Sequence, residues 1–370
     1  MAIITAHESK PFFTAVWCWL NATSAWADNT IESQTSTGTA FTIFSATADY
    51  LYLGHQSRFD LFTAILAMAG SVGTFTYAYY NGSSWIQFVP RLNYDFTVTG
   101  AEEWNVQQLV GWTSLAFSAG TPHATAPPDT DERYWIRISV SSVSTAPTVY
   151  QIQARPYAYY CTPTDVYSIL QLDADFSSTT IPTRNMVEDS INAAQSIIDF
   201  KTYKTWRPTV KTEEHQEFNI AGMKLIERDV QRITKLEIWN GGGWDTKTEG
   251  RQSDYFLVPD IGMVYFSRYF LLPARIVSYR ASVWPIGWGE FTFPVKITYI
   301  YGRDKYTDTR QFREIWDITR KLAAIDVYQS ADFSIITVSG SDRVTLDRKI
   351  ENWKMEVEEK LEELRRWLIF

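Results

Sequence analysis

Two hydrophobic rhythms run along this chain, an alternation of period two in the front half and a helical spacing that enters after residue 160. Runs at 41–44, 50–54, 59–67, 73–80, 85–89, 96–99, 134–140 and 148–154 are apolar, aromatic or β-branched, with turn residues between them, and each predicts a strand. The clearest hairpin joins 74–80 to 83–88 through Asn81-Gly82, a pair suited to a tight primed turn. Short strands in this number, with polar turns, predict an all-β two-sheet sandwich or jelly roll. Residues 21–40 are rich in Ser, Thr, Asn and Ala without a period and predict a loop or loosely held arm.

The stretch 162–206 reads as a short capped helix, a polar loop and a longer helix. Thr162 can cap the first, Pro163 sits where no N–H is needed, and Asp165 puts a carboxylate at the positive helix end. In the second, Val187, Ile191, Ala194 and Ile198 form one apolar stripe, while Glu188, Asp189, Asn192, Gln195 and Asp199 take the other face. Arg207-Pro208 ends this segment.

Strands return behind it. Residues 236–239 break at Asn240-Gly241-Gly242-Gly243 and resume at Trp244; 255–258 and 263–266 flank a turn; and Val295, Ile297, Tyr299 and Tyr301 alternate with Lys296, Thr298 and Ile300. Trp284-Pro-Ile-Gly-Trp288 reads as an aromatic loop, either an anchored turn or a contact site. Phe312, Ile315, Trp316, Thr319, Leu322 and Ala323 recur at helical spacing, and this helix is expected beside the 184–204 helix against a small sheet. Leu346, Ile350, Trp353, Val357, Leu361, Leu364 and Leu368 lie near heptad spacing on a final helix of about 25 residues, roughly 37 Å long. That stripe needs a partner, either its own domain or another subunit.

Charge sharpens the division. Residues 1–157 hold 6 basic and 11 acidic side chains, whereas residues 158–370 hold 28 and 31, a step that marks a domain boundary near residue 160. The net charge of −8 leaves no global basic field to grip nucleic acid. Aromatic residues make up 15% of the chain, and they suit either sandwich cores or interfaces. Cys18 and Cys161 fall in different halves, so neither a disulfide framework nor a zinc site is expected. The apolar stretch 12–20 lacks the basic flank of an export signal, and 61–69 is far short of a membrane span.

The order of short helix, polar loop and amphipathic helix, then strands, the strand 295–302 and a further helix, resembles the head-to-tail adaptor (connector) proteins of tailed viruses over residues 162–328. In the front half, Gly73-Thr74-Phe75, Tyr80-Asn-Gly-Ser-Ser-Trp85, residues 96–100, Trp104, Trp112 and 134–138 resemble sandwich domains of tailed-virus structural proteins; aromatic sandwiches also occur in sugar-binding modules. These resemblances imply an α+β chain: a sandwich over 1–157, a mainly helical adaptor domain with a small antiparallel sheet over 158–340, and a docking helix over 341–370. They imply a non-enzymatic virion subunit in the neck between capsid and tail, assembled in the host cytoplasm as a homo-oligomeric ring of twelvefold order (a dodecamer). Its partners would be itself, the portal protein and a tail or stopper protein. DNA would pass through the lumen without sequence-specific binding. The implied portal-docking residues are Trp353, Val357, Leu361, Leu364, Arg365, Arg366, Trp367, Leu368 and Phe370, and the ring or tail contacts Trp239, Trp244, Trp284 and Trp288. The other reading is a carbohydrate-binding adhesin or fibre-base protein that uses the aromatic sandwich.

Candidate chemistry is sparse. His7, His55, His123 and His215 are scattered, residues 241–248 lack the order of a phosphate loop, and no Gly-x-Ser-x-Gly elbow occurs. Asp129, Asp131 and Glu132 could bind calcium or form a solvated turn. The acid pairs Glu102-Glu103 and Glu213-Glu214 suggest no specific reaction, so neither enzyme activity, cofactor nor metal is expected.

Overall fold

The computed structural model describes residues 12–36, 38–92, 94–117, 127–172, 175–215, 222–239, 242–250, 253–266, 295–303, 309–330 and 340–366. Twelve front strands are β1 (Ala15–Leu20), β2 (Ala25–Asp28), β3 (Phe41–Thr42), β4 (Tyr50–His55), β5 (Phe59–Met68), β6 (Ser71–Val72), β7 (Phe75–Tyr80), β8 (Trp85–Phe88), β9 (Gly100–Glu103), β10 (Tyr134–Val140), β11 (Val143–Thr145) and β12 (Thr148–Pro156). Helices α1 (Pro163–Leu170) and α2 (Arg184–Thr202) follow, then β13 (Thr209–His215), β14 (Met223–Lys224), β15 (Val230–Trp239), β16 (Trp244–Thr246), β17 (Tyr255–Val258), β18 (Met263–Phe266), β19 (Val295–Tyr301), α3 (Thr309–Ser330) and α4 (Gly340–Arg366).

The chain folds as two units, residues 1–204 with 309–370, and residues 205–308. The charge step near residue 160 thus falls inside the first unit. There, a six-stranded sheet ordered β2-β1-β4-β10-β7-β8 and a four-stranded sheet ordered β3-β12-β5-β9 enclose a core that includes Val16, Leu51, Leu53, Phe59, Phe62, Ile136, Ile138 and Ile152. Strands β6 and β11 form a small extra pair.

Three local expectations change. Strand β2 lies in the stretch expected to be a loop or arm, and β1, in an apolar stretch to which no element was assigned, pairs on both sides. Its alternation was invisible because the inward Val16 and Cys18 and the outward Trp17 and Trp19 are all apolar. Residues 96–99 make a turn instead of a strand: Phe96 has φ 54° and the Asp95 carboxylate accepts from Thr97 N. Between β7 and β8 the register pairs Tyr80 with Trp85, so the connection has four residues, with Asn81 Oδ1 accepting from the N–H groups of Ser83 and Ser84.

The expectation of a mainly helical back domain is overturned. Seven strands lie between α2 and α3 in two antiparallel sheets, β13-β19-β15-β16 and β14-β18-β17, and among the described residues the chain as a whole is mostly β, with five sheets and four α-helices. The second unit builds its own core from Met223, Leu225, Leu236, Tyr255, Val264, Val295, Ile297 and Tyr299. Helices α1, α2, α3 and α4 share a core of Val166, Val187, Ile191, Ala194, Ala323, Ile350 and Trp353 within the first unit. No helix among the described residues is long and apolar enough to cross a membrane.

Candidate partner-binding surfaces

Helix α2 is the element on which the first unit turns. Thr183 caps it by accepting from Met186 N, and Tyr203 closes it in the left-handed conformation at φ 53°. Val187, Ile191, Ala194 and Ile198 are buried, as their spacing predicts.

The second face is polar yet buried. Arg58, from the turn before β5, donates from Nε to Glu188 Oε2 at 2.6 Å and from Nη2 to Asn185 O at 2.7 Å and Asp189 Oδ1 at 3.0 Å. Its guanidinium lies 5.0 Å from the Tyr157 ring. Tyr134 Oη donates to Asn185 Oδ1 at 2.7 Å, and Asn192 Nδ2 donates to the Tyr157 hydroxyl at 3.0 Å. Gln195 Oε1 accepts from Tyr159 N and Tyr160 N at 2.6 and 2.7 Å, while its Nε2 donates to Tyr157 O at 3.0 Å. Glu188 and Gln195 were assigned to an outward face from spacing; their partners, 35 to 130 residues upstream, could not be seen. Burial pushes the Glu188 carboxyl up against the pull of Arg58 and Arg184.

The third face of α2 remains open. Met186, Ile197 and Phe200 are 48%, 44% and 78% exposed, Ala193 is exposed between them, and Tyr203 beyond the cap is 74% exposed. The positions recur one above another along the helix, so they form an apolar stripe on the outside. Arg365, near the end of α4, lies 5.6 Å from the Tyr203 ring and joins the two helix ends.

The predicted docking residues divide. Trp353, Val357, Leu361 and Leu364 are buried in this chain, so the stripe on α4 is covered by its own unit. Lys321 and Lys360 hold that packing by donating to Asp317 on α3 at 2.7 and 2.9 Å and to Glu356 on α4 at 2.6 and 2.8 Å. Burial opposes the Asp317 charge, and the hydrogen bonds from Lys321, Lys360 and Arg320 more than reverse it, holding the carboxyl well below the usual range. Arg365 is exposed, while the Arg366 side chain and residues Trp367, Leu368 and Phe370 lie outside the described residues. In the second unit Trp239, 36% exposed, meets Trp244 across β15 and β16 at 5.6 Å, and Trp284 and Trp288 lie outside the described residues.

The acid pairs do not converge. Neighbours on a strand point to opposite faces, and Glu213 is buried, accepting from Ile226 N, Tyr299 Oη and His215, while Glu214 is exposed. On β9, Glu103 accepts from Arg155 at 2.8 Å and Arg91 at 3.0 Å, whereas Glu102 accepts from Leu92 N and Tyr94 N at 2.8 Å. Burial raises the Glu102 carboxyl to about 7 despite those backbone donors. Asp129 and Asp131 are bridged by the Arg133 guanidinium at 2.9 and 2.7 Å, which puts a cation already in the place proposed for calcium.

A second surface lies on the outer face of the six-stranded sheet. Trp17, Tyr52 and Arg137 face one another across β1, β4 and β10, flanked by Trp26, Tyr50 and Trp85. Arg137 lies 5.0 Å from the Tyr50 ring and 4.7 Å from the Trp85 ring. Tyr52, buried beneath, has its hydroxyl pushed up to about 12 by burial, with Arg137 acting in the opposite direction.

No family model matches the chain, and no curated protein matches it. Among solved structures it is similar to a chain in the neck of an empty GTA particle computed with C6 symmetry, with 14% identity, 48% of this chain and 79% of that chain covered, and a TM-score of 0.29. A score that low establishes neither a shared fold nor a role.

Proposed function

We propose that the protein is a non-enzymatic structural subunit of a tailed-virus neck, a head-to-tail adaptor whose copies assemble as a ring between portal and tail. The observation that carries this reading is the open face of α2. A helix already seated by one apolar and one polar face still shows Met186, Ile197 and Phe200 to solvent, and Phe200 alone is 78% exposed. An apolar stripe of that kind marks an association surface. The order of helices and strands that resembles the adaptors supplies the kind of assembly, and the charge of −8 suits a lumen that lets DNA slide without gripping it. Docking to the portal passes from the covered α4 stripe to the α2 stripe and the adjoining Arg365.

The test is co-sedimentation of the full chain with purified portal rings on a density gradient. The expected result is comigration that is lost in Ile197→Asp. Separate migration of the wild-type protein at micromolar concentrations of both components overturns the neck assignment.

A further inference from the structure

Among the buried acids of the first unit, Glu102 has a different kind of partner. Glu188 meets Arg58 at 2.6 Å, and Asp60 and Glu103 meet Arg155 at 2.7 and 2.8 Å. Glu102, 0% exposed on the inner face of β9, is bound by main chain instead: it accepts from Leu92 N and Tyr94 N at 2.8 Å and from Glu103 N at 3.1 Å. Its register partner on β5 is Phe62, and Tyr77 faces it from β7 in the opposite sheet. Burial, and then the Glu102 charge, push the Tyr77 hydroxyl up, so that group stays neutral. Of the charged groups nearby, Asp95 is held by Thr97 N and Oγ1 at 3.1 and 2.6 Å, and Arg91 and Arg155 bind Glu103 on the other face of the strand.

Leu92 and Tyr94 belong to the connection between β8 and β9, which joins an edge strand of one sheet to an edge strand of the other. The outer side of this connection is in water, with Val89 and the Arg91 side chain 83% and 71% exposed. Its inner side is core. Tyr94 and Phe96 are buried with their rings 4.5 Å apart, and the Tyr94 ring lies so close over Gly100 that a Cβ there would come within 2.4 Å of it. Apart from Glu102, Arg91 N donates to Glu103 O at 2.7 Å and Tyr94 Oη to Val98 O at 2.8 Å. Displacement of this short stretch is enough to bring water to the carboxyl.

A neutral carboxyl accepts these N–H groups at little cost. An ionised one, with main-chain dipoles in place of a guanidinium, lacks the hydration it has in an opened chain. Burial opposes the charge more than the backbone donors support it, which raises the folded value from 4.5 to about 7. The closed state is therefore favoured fully below 4.5 and loses that advantage as pH rises through about 7. Opening of one edge connection is the smallest change that hydrates the group. We propose that Glu102 is a latch: protonated, it holds the β8–β9 connection on the sandwich, and on ionisation it releases that connection while both sheets stay folded. The device is independent of ring assembly.

The test is hydrogen exchange of the full-length protein at about pH 5 and about pH 8, read by mass spectrometry with fragmentation to single amides and corrected for the intrinsic pH dependence of exchange. With an opened value of 4.5 and a closed value of about 7, the opening equilibrium at the Leu92 and Tyr94 amides is expected to rise ~70-fold between those conditions. At both it is expected to exceed the opening at Leu51 and Leu53 of β4, which pairs on both sides, and to change little in low urea, as a local opening does. Glu102→Gln, uncharged throughout, is expected to remove the rise. The comparison of the connection with β4 in the wild-type protein needs no variant, so it stands even where the substitution weakens the fold. An opening equilibrium equal at the two pH values, exchange at Leu92 and Tyr94 no faster than in β4, or the same rise in a folded Glu102→Gln protein overturns the proposal.

Discussion

Replacing Phe200 by serine tests whether the α2 stripe is an interface. Burying a whole Phe side chain is worth roughly 1.5–3 kcal/mol, and 78% of Phe200 is still open in the single chain. Closing that face against a neighbour therefore contributes about 2 kcal/mol per interface. Its loss weakens association about 30-fold. The subunit itself should change little, because the removed atoms contact mostly solvent, and a shift within about 0.5 kcal/mol is expected for such a surface site. Sedimentation velocity over a concentration series reads both quantities when paired with thermal melts. The account requires a midpoint of association displaced to higher concentration with an unchanged melt. Identical association curves for wild type and Phe200→Ser would refute the reasoning, since the stripe would then bury nothing.

Three further outcomes follow from the buried polar groups. Arg58→Ala leaves Glu188 in the interior without its partner and is expected to lower stability by about 3–5 kcal/mol in chemical denaturation, with Arg58→Ala/Glu188→Gln recovering part of the loss; no recovery would place the effect elsewhere. Glu102, with its folded value raised to about 7 above an unfolded one near 4.5, keeps its proton longer when folded. Stability from this group is complete below about 4.5 and is lost as pH rises towards 7, so Glu102→Gln should flatten the melting temperature between those limits, and an unchanged slope would contradict the assignment. Asp317 has the opposite sign: its folded value is depressed, so its contribution is full above the ordinary carboxylate range and is lost as pH falls through the folded value. Asp317→Asn should remove that acid-side loss while loosening α3 against α4, measured by hydrogen exchange in α4.

How much of this was legible without coordinates depends on whether the relevant signal is local. The capping box at Thr162 and Asp165 formed as its spacing predicts, because both partners lie within one turn. The inward stripe of α2 was equally plain. What faces the remaining sides of a helix is a tertiary matter: nothing near Glu188 announces Arg58, 130 residues earlier, as its partner. The heptad-like run at Trp353, Val357, Leu361 and Leu364 was read correctly as needing cover, but periodicity does not say whether that cover comes from the same chain. Strand β1 escaped notice because aromatic residues on its outer face erase the alternation, and those same residues build the surface around Arg137. The sheets of the second unit were underestimated because β13, whose Thr, Lys, Glu and His residues carry no apolar alternation, and the two-residue β14 gave no period to register.

The central claim is that this chain is a repeated part of an annulus. Native mass spectrometry of the full-length protein across a concentration series addresses it most directly. The account predicts a single closed oligomer of fixed subunit number appearing at the expense of the monomer, and its displacement to higher concentration in Phe200→Ser. A monomer that persists to the highest concentration, with or without portal rings present, contradicts it.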